Sequence, residues 1–273
     1  MIAGFGIEVP PKFLYDLQMG DTKIEVQAQG PVVIFTFVPP PEGLATLKKT
    51  TLLEFEKAMQ AHRQARVFVL TGVGKGFVCG ADIAEMEKMT PAEAKDFALT
   101  GQRVMRILEL SPQVILCAVN GYALGGGCEL ALACDIRIAA STAKFAQPEL
   151  NLGIPPGWAG TQRLPRLIGL SRAKELILTG RSLKAQEAFE IGLVHAVVEP
   201  ERLMDTALRE AKRFLDISPN AIALAKRAFA AGDDRAFEQG SMHEDQCFEE
   251  AFAHADQKEG MRAFLEKRKP RYA

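Results

Sequence analysis

Three short runs of apolar, largely β-branched residues constrain this chain most: Val67-Phe68-Val69-Leu70-Thr71, Val114 to Val119, and Ile136-Arg137-Ile138-Ala139. Short runs of this kind suit buried strands, and the stretches between them have helical spacing. Strand and helix thus alternate across residues 67–140, which predicts an α/β arrangement. Upstream, Ile24 to Gln29 and Val32 to Val38 read as a hairpin turned at Gly30-Pro31, ended by Pro39-Pro40-Pro41. Helical patterns follow over Thr51 to Ala65, over Ala81 to Met89, and from the capping box Thr90-Pro91-Ala92-Glu93 to about Leu110. A glycine triplet opens a further helix through Ala133.

Beyond residue 170, Ser171, Ser218 and Ser241 read as helix caps, and Gly180, Gly192 and Gly232 as stops. From about residue 200 the pattern is almost wholly helical, with Met204, Leu208, Ala211, Phe214 and Leu215 on one spacing and Phe248, Phe252, Met261, Phe264 and Leu265 on another. Apolar helices at a chain end need a surface to cover, on this subunit or on a neighbour. Residues 1–22 read as an arm broken by Pro10-Pro11, and residues 39–50 carry no clear pattern.

Composition narrows the partners. With 273 residues and a net charge of −1, the chain has ample core and no long-range pull towards nucleic acid or an anionic membrane. The basic run Glu266-Lys267-Arg268-Lys269-Pro270-Arg271 reads as a solvated chain end. Five cysteines, an odd number without zinc-ligand spacing, predict reduced and mostly buried thiols in a cytoplasmic setting and no metal site. No secretory signal is legible at the N-terminus, and no apolar run reaches the ~20 residues that span a bilayer.

Chemistry concentrates at two glycine-rich junctions, each leading from a strand into a helix. One is Gly74-Lys75-Gly76-Phe77-Val78-Cys79-Gly80-Ala81-Asp82-Ile83; the other is Leu124-Gly125-Gly126-Gly127-Cys128-Glu129. Neither matches a dinucleotide or phosphate-loop pattern. Each leaves first-turn N–H groups unpaired, so the two together can offer a pair of donors to one developing oxyanion. Two carboxylates, Glu129 and Glu149, sit among small or apolar neighbours, a setting that raises a carboxyl pKa and suits it to proton transfer. Taken singly, each feature also has a structural explanation: a tight turn, a carboxylate at a helix N-terminus, a surface loop residue, or Asp135 pairing with Arg137. The four histidines read as structural, and no Gly-x-Ser-x-Gly elbow supports a serine hydrolase.

The stretch Ala118-Val119-Asn120-Gly121-Tyr122-Ala123-Leu124-Gly125-Gly126-Gly127-Cys128-Glu129-Leu130-Ala131, with Cys134-Asp135 after it, resembles the enoyl-CoA hydratase (crotonase) family. So do Phe145-Ala146-Gln147-Pro148-Glu149, Gly160-Thr161-Gln162-Arg163-Leu164 and Phe77-Val78-Cys79-Gly80-Ala81-Asp82-Ile83, and the resemblance extends over roughly residues 24–270. It implies a spiral of β-β-α units over residues 1–199, followed by a C-terminal helical oligomerisation region over 200–273, in a trimer or a dimer of trimers. It implies that Ala81 and Gly126 donate their N–H groups to a thioester oxygen and that Glu129 and Glu149 are the catalytic pair. By the same resemblance Cys79, Gly80, Asp82, Ile83, Gly125, Gly157 and Trp158 fall on the substrate and CoA side, and Lys267 or Lys269 reaches the CoA phosphates. The activity implied is water addition to a 2-enoyl-CoA, with coenzyme A entering as part of the substrate and no tightly bound cofactor.

Three departures bear on the substrate. Ala84 stands where many relatives have lysine, Pro39–Leu47 replaces an Arg-Pro…Asn-Ala-Leu segment, and Trp158 replaces a small residue, which either narrows the acyl pocket or simply repacks. The alternatives are an enoyl-CoA isomerase, a hydratase of alicyclic or aromatic acyl-CoA, and a non-catalytic oligomeric binding protein.

Overall fold

The computed structural model describes residues 21–41, 43–253, 255–268 and 270. The proposed arm thus lies outside the described residues except for Asp21 and Thr22, as does Lys269. The first strands, β1 (Lys23–Gln29) and β2 (Val32–Val38), form the expected antiparallel hairpin. They join β3 (Val67–Gly72), β5 (Val114–Val119), β7 (Ile136–Ala140) and β10 (Ala196–Val198) in a six-stranded sheet ordered β1-β2-β3-β5-β7-β10, parallel from β2 onward. A second sheet, ordered β4-β6-β8-β9, consists of β4 (Gly76–Val78), β6 (Tyr122–Leu124), β8 (Lys144–Ala146) and β9 (Leu183–Lys184). The chain alternates between the sheets: β3 then β4, β5 then β6, β7 then β8. After each such pair it turns into a helix, which is the repeated β-β-α spiral.

The uninterrupted apolar runs follow from this placement. Phe68 and Leu70 of β3, with Ile115, Cys117 and Val119 of β5, face the main core. The intervening Val67, Val69, Val114, Leu116 and Ala118 face a second core on the other side. Helices α1 (Lys49–Ala61) and α3 (Pro91–Leu110) cover the first face with Leu52, Phe55, Phe97 and Met105, and α8 (Leu203–Arg213) covers the second with Leu203, Ala207 and Ala211. The Thr90–Glu93 capping box forms reciprocally at the start of α3.

Several expectations are corrected. The helix expected over 51–65 runs from Lys49 to Ala61, and the one expected over 81–89 shortens to α2 (Ile83–Met86), because Asp82 is its N-cap, accepting from the Glu85 N–H at 2.9 Å. The helix opened by the glycine triplet, α4, spans Gly126–Leu132. Helices α5 (Gly160–Ile168) and α6 (Leu170–Thr179) meet at Gly169, with φ +84°, so Ser171 lies inside α6 instead of capping it. Gly180 and Gly192 do end their helices. Ser218 caps α9 (Pro219–Ala253), accepting from the Ala221 N–H, but Gly232 and Ser241 lie within this helix. A mid-helix glycine costs only ~1 kcal/mol against alanine, and packing along α3 offsets that. The chain-end helices cover this subunit's own core: Phe248 and Phe252 of α9 and Met261 of α10 (Ala255–Leu265) are buried in it.

Asp135 does not pair with Arg137. The Arg137 guanidinium donates to the carbonyl oxygens of Leu193, Ala131 and Cys134, thereby closing the C-terminus of α4. Asp135 instead accepts from the Ile115 N–H and from Lys226 of α9 at 2.6 Å, while Lys226 also donates to the Gln113 carbonyl at 2.8 Å. Replacing Lys226 by Met leaves this carboxylate without its cation. We expect a stability loss of about 2 kcal/mol, below the ~3–5 kcal/mol of a fully buried pair because Asp135 is part-exposed. Denaturant unfolding of Lys226→Met checks it, and an unchanged midpoint would refute the anchor.

Candidate active site

The N-terminal side of α2 is a loop that the featureless segment around residue 45 holds in place. Cys79 donates its N–H to the Ala45 carbonyl, Leu47 to Gly80, and Asp82 to Leu47. This ladder skips the Ala81 N–H. Gly80 has φ +93°, a conformation open to glycine, which swings Ala81 out from the end of β4. Gly126 is the first residue of α4, so its N–H has no acceptor within that helix. The two junctions touch: a Cβ on Gly125 would lie 3.8 Å from the Gly80 Cα, and one on Gly127 would lie 2.5 Å from the Val78 carbonyl carbon.

Both glutamates are buried next to the second junction, one across from it and one in the helix it opens. Glu149 is buried at the start of a 3₁₀ turn, Glu149–Leu152, directly after β8, and its Oε1 lies 3.0 Å from where a Gly125 Cβ would stand. Glu129 is one helical turn beyond Gly125, only 1% exposed, and its Oε1 accepts the N–H groups of Trp158 and Gly160, each at 2.8 Å. Burial raises the Glu129 carboxyl to about 7, against the pull of these two N–H donors and of Arg163. Burial pushes the Cys128 thiol up to about 12, and the charges of both carboxylates add to the rise.

The grip on Glu129 has a structural origin. Ala159, between the two donors, has φ +69°, a left-handed conformation that costs a non-glycine residue ~1–2 kcal/mol. That turn aims both neighbouring N–H groups at one oxygen. Arg163 steadies it, donating to the Trp158 carbonyl at 2.6 Å and to Glu109 of α3 at 2.6 and 3.1 Å. Sequence reasoning missed Arg163, Glu109 and Ala159 as parts of the site, because their roles depend on contacts across more than fifty residues or on a backbone angle.

The remaining expected residues divide. Gly157 accepts from Gln102 of α3 through its carbonyl, and the Trp158 ring lies against Gly126. The side chain of Asp82 is occupied in capping α2, and that of Ile83 packs in the core. The half-buried Cys79 directs its sulfur towards the Tyr122 carbonyl at 3.8 Å, and burial pushes its thiol up to about 12. Lys267 is exposed just past α10, a helix that packs on α2 and on the Glu149 turn.

A six-stranded and a four-stranded sheet built from successive β-β-α units form the crotonase fold. The chain belongs to the enoyl-CoA hydratase/isomerase family, whose description matches residues 28–273. It is 44% identical over 248 residues to the short-chain-enoyl-CoA hydratase of Clostridium acetobutylicum, covering 89% of this chain and 95% of that one. It is 46% identical over 240 residues to the crotonyl-CoA hydratase of Syntrophomonas wolfei, covering 86% and 92%. Among solved structures it is similar to the enoyl-CoA hydratase of Bacillus anthracis, with a TM-score of 0.73, 40% identity, and 91% and 98% of the two chains covered.

Proposed function

We propose that this protein is a hydro-lyase that adds water across the 2,3 double bond of a 2-enoyl-CoA. The observation that carries the reading is the meeting of the Glu149 carboxylate with Gly125, one helical turn from a Glu129 fixed by two backbone N–H groups. In this reaction the thioester oxygen accepts from the N–H groups of Ala81 and Gly126, which stabilise the enolate-like charge that develops there. Glu129 orients and activates a water beside the β-carbon. The water oxygen bonds to the β-carbon, and Glu149 relays one water proton to the α-carbon. Hydroxyl and hydrogen thus come from one water, and both glutamates end as they began. Incubation with crotonyl-CoA, followed by loss of the enoyl-thioester ultraviolet absorbance, tests the activity; no hydration of any 2-enoyl-CoA would overturn it.

The same reading assigns residues 200–273 to assembly of a trimer or a dimer of trimers in the cytoplasm, with Lys267 and Lys269 near the CoA phosphates. Leu224, Phe229 and Met242 on α9 are half to four-fifths exposed, apolar surface of the kind a second copy covers.

Burial of Glu129 makes stability depend on pH. Burial raises its carboxyl to about 7 in the folded chain from an ordinary value of 4.5, so between these values the native state holds the extra proton. Stability therefore falls as pH rises through this window. The substitution Glu129→Gln removes that titration, so the Tm of the variant relative to the parent is expected to rise from pH 5 to pH 8. Thermal unfolding across that range checks it, and a constant difference would mean an unshifted carboxyl.

A further inference from the structure

We infer that the Trp158 indole is the wall at the acyl end of this site and restricts the protein to short 2-enoyl chains. The inference rests on the hydratase reading and adds the length of acyl chain that the site accepts.

Trp158 is the only tryptophan in the chain and is 2% exposed. Its backbone is held on both sides, the N–H by Glu129 Oε1 at 2.8 Å and the carbonyl by Arg163 at 2.6 Å. Its ring is held as firmly. The benzo edge lies over Gly126, where a Cβ would come within 2.6 Å of Cε3 and 3.0 Å of Cη2. The pyrrole edge lies against Gly101 of α3, a position that also has no room for a Cβ. Phe97 packs edge-on with its ring centroid 5.4 Å away. Behind the segment, Phe248 of α9 stands 2.7 Å from where a Gly157 Cβ would be, and it packs on Phe252 at 5.1 Å. An indole fixed by two helices and backed by a third does not swing aside for a ligand.

Its place relative to the reacting atoms gives this rigidity a consequence. Gly126 presents the N–H that receives the thioester oxygen, and Glu129 addresses the water at the β-carbon. The indole touches the first residue, and its own backbone N–H binds the second. Carbons beyond the β-carbon extend away from the thioester, past Glu129, towards the segment 157–160 that carries the ring. Two glycines in two helices, Gly101 and Gly126, make the space for a ring this size, and the ring occupies it.

A purely structural tryptophan and a chain-length wall differ in what substitution does. Loss of packing alone lowers kcat/KM for every substrate alike. Loss of a wall changes the ratio between substrates. The experiment is kcat/KM for 2-enoyl-CoA thioesters of four, six, eight and ten carbons with the parent protein, Trp158→Ala and Trp158→Phe. The parent is expected to favour the four-carbon substrate. Trp158→Ala is expected to raise the ten- to four-carbon ratio by at least about tenfold, the discrimination that a methylene or two gives in an apolar pocket, and Trp158→Phe to raise it less. If Trp158→Ala fails to fold, Trp158→Phe decides the matter, since it keeps an aromatic ring against Phe97. An unchanged ratio in the folded variants overturns this inference and leaves the hydratase reading standing. A parent that hydrates none of the four overturns the hydratase reading itself.

Discussion

Glu149→Gln is expected to lower kcat for hydration of crotonyl-CoA by about 10³-fold or more, with an unchanged fold. General acid–base catalysis by a placed side chain contributes ~10²–10⁴-fold, and an amide of the same shape cannot take or give the proton. Glu129→Gln is expected to lose a comparable factor, for a different reason. Its amide oxygen can still accept the Trp158 and Gly160 N–H groups, so the turn at Ala159 should survive. What is lost is the carboxylate charge that orients and polarises the attacking water while its proton passes to Glu149. KM should move little in either variant, because neither glutamate is assigned to hold the CoA portion. Steady-state kinetics with far-ultraviolet circular dichroism as the folding control measure both effects. Turnover within a few-fold of the parent in either variant removes that glutamate from the reaction. Full activity in both would leave the contact of Glu149 with Gly125 as a structural feature only.

The site was more legible than the architecture around it, for a physical reason. Glycine triplets and carboxylates among small residues are local signals, and the chemistry proposed for Glu129 and Glu149 needs those residue types whatever packs around them. The strands of the large sheet were legible too, because burial on both faces writes itself as an unbroken apolar run at Val67–Thr71 and Val114–Val119. The second sheet was not. Its strands Gly76–Val78, Tyr122–Leu124 and Lys144–Ala146 have three residues each, too few for any periodicity, and exist because each pairs with the next turn of the spiral. The segment around Ala45 gave no signal for the same reason: its order comes from the Cys79–Asp82 loop. Asp135 has Arg137 two positions away, yet its cation is Lys226, 91 positions along the chain. Ser171, Gly232 and Ser241 carried the right residue types for helix ends at places where tertiary packing continues the helix.

Gly127→Ala is expected to abolish most activity although residue 127 contacts no reacting atom. A Cβ at this position would stand 2.5 Å from the Val78 carbonyl carbon and 2.9 Å from the Val78 Cβ. The obstacle is mostly backbone, so no rotamer change relieves it, and the start of α4 must move off the end of β4. Val78 is three residues before Ala81, and Gly127 directly follows Gly126, so this movement separates the two N–H donors assigned to the thioester oxygen. A displacement of about 1 Å at such a place costs ~10²-fold, and removal of one oxyanion donor costs ~10²–10³-fold. We expect kcat/KM for crotonyl-CoA to fall within or beyond this range. Overpacking should also lower stability by ~1–3 kcal/mol, which at ordinary temperature still leaves a folded protein to assay. Kinetics and thermal unfolding on one preparation separate the two effects. A folded Gly127→Ala protein with activity within a few-fold of the parent would mean that the two glycine junctions do not act on one oxygen, and the assignment of Ala81 and Gly126 as a pair would fall with it.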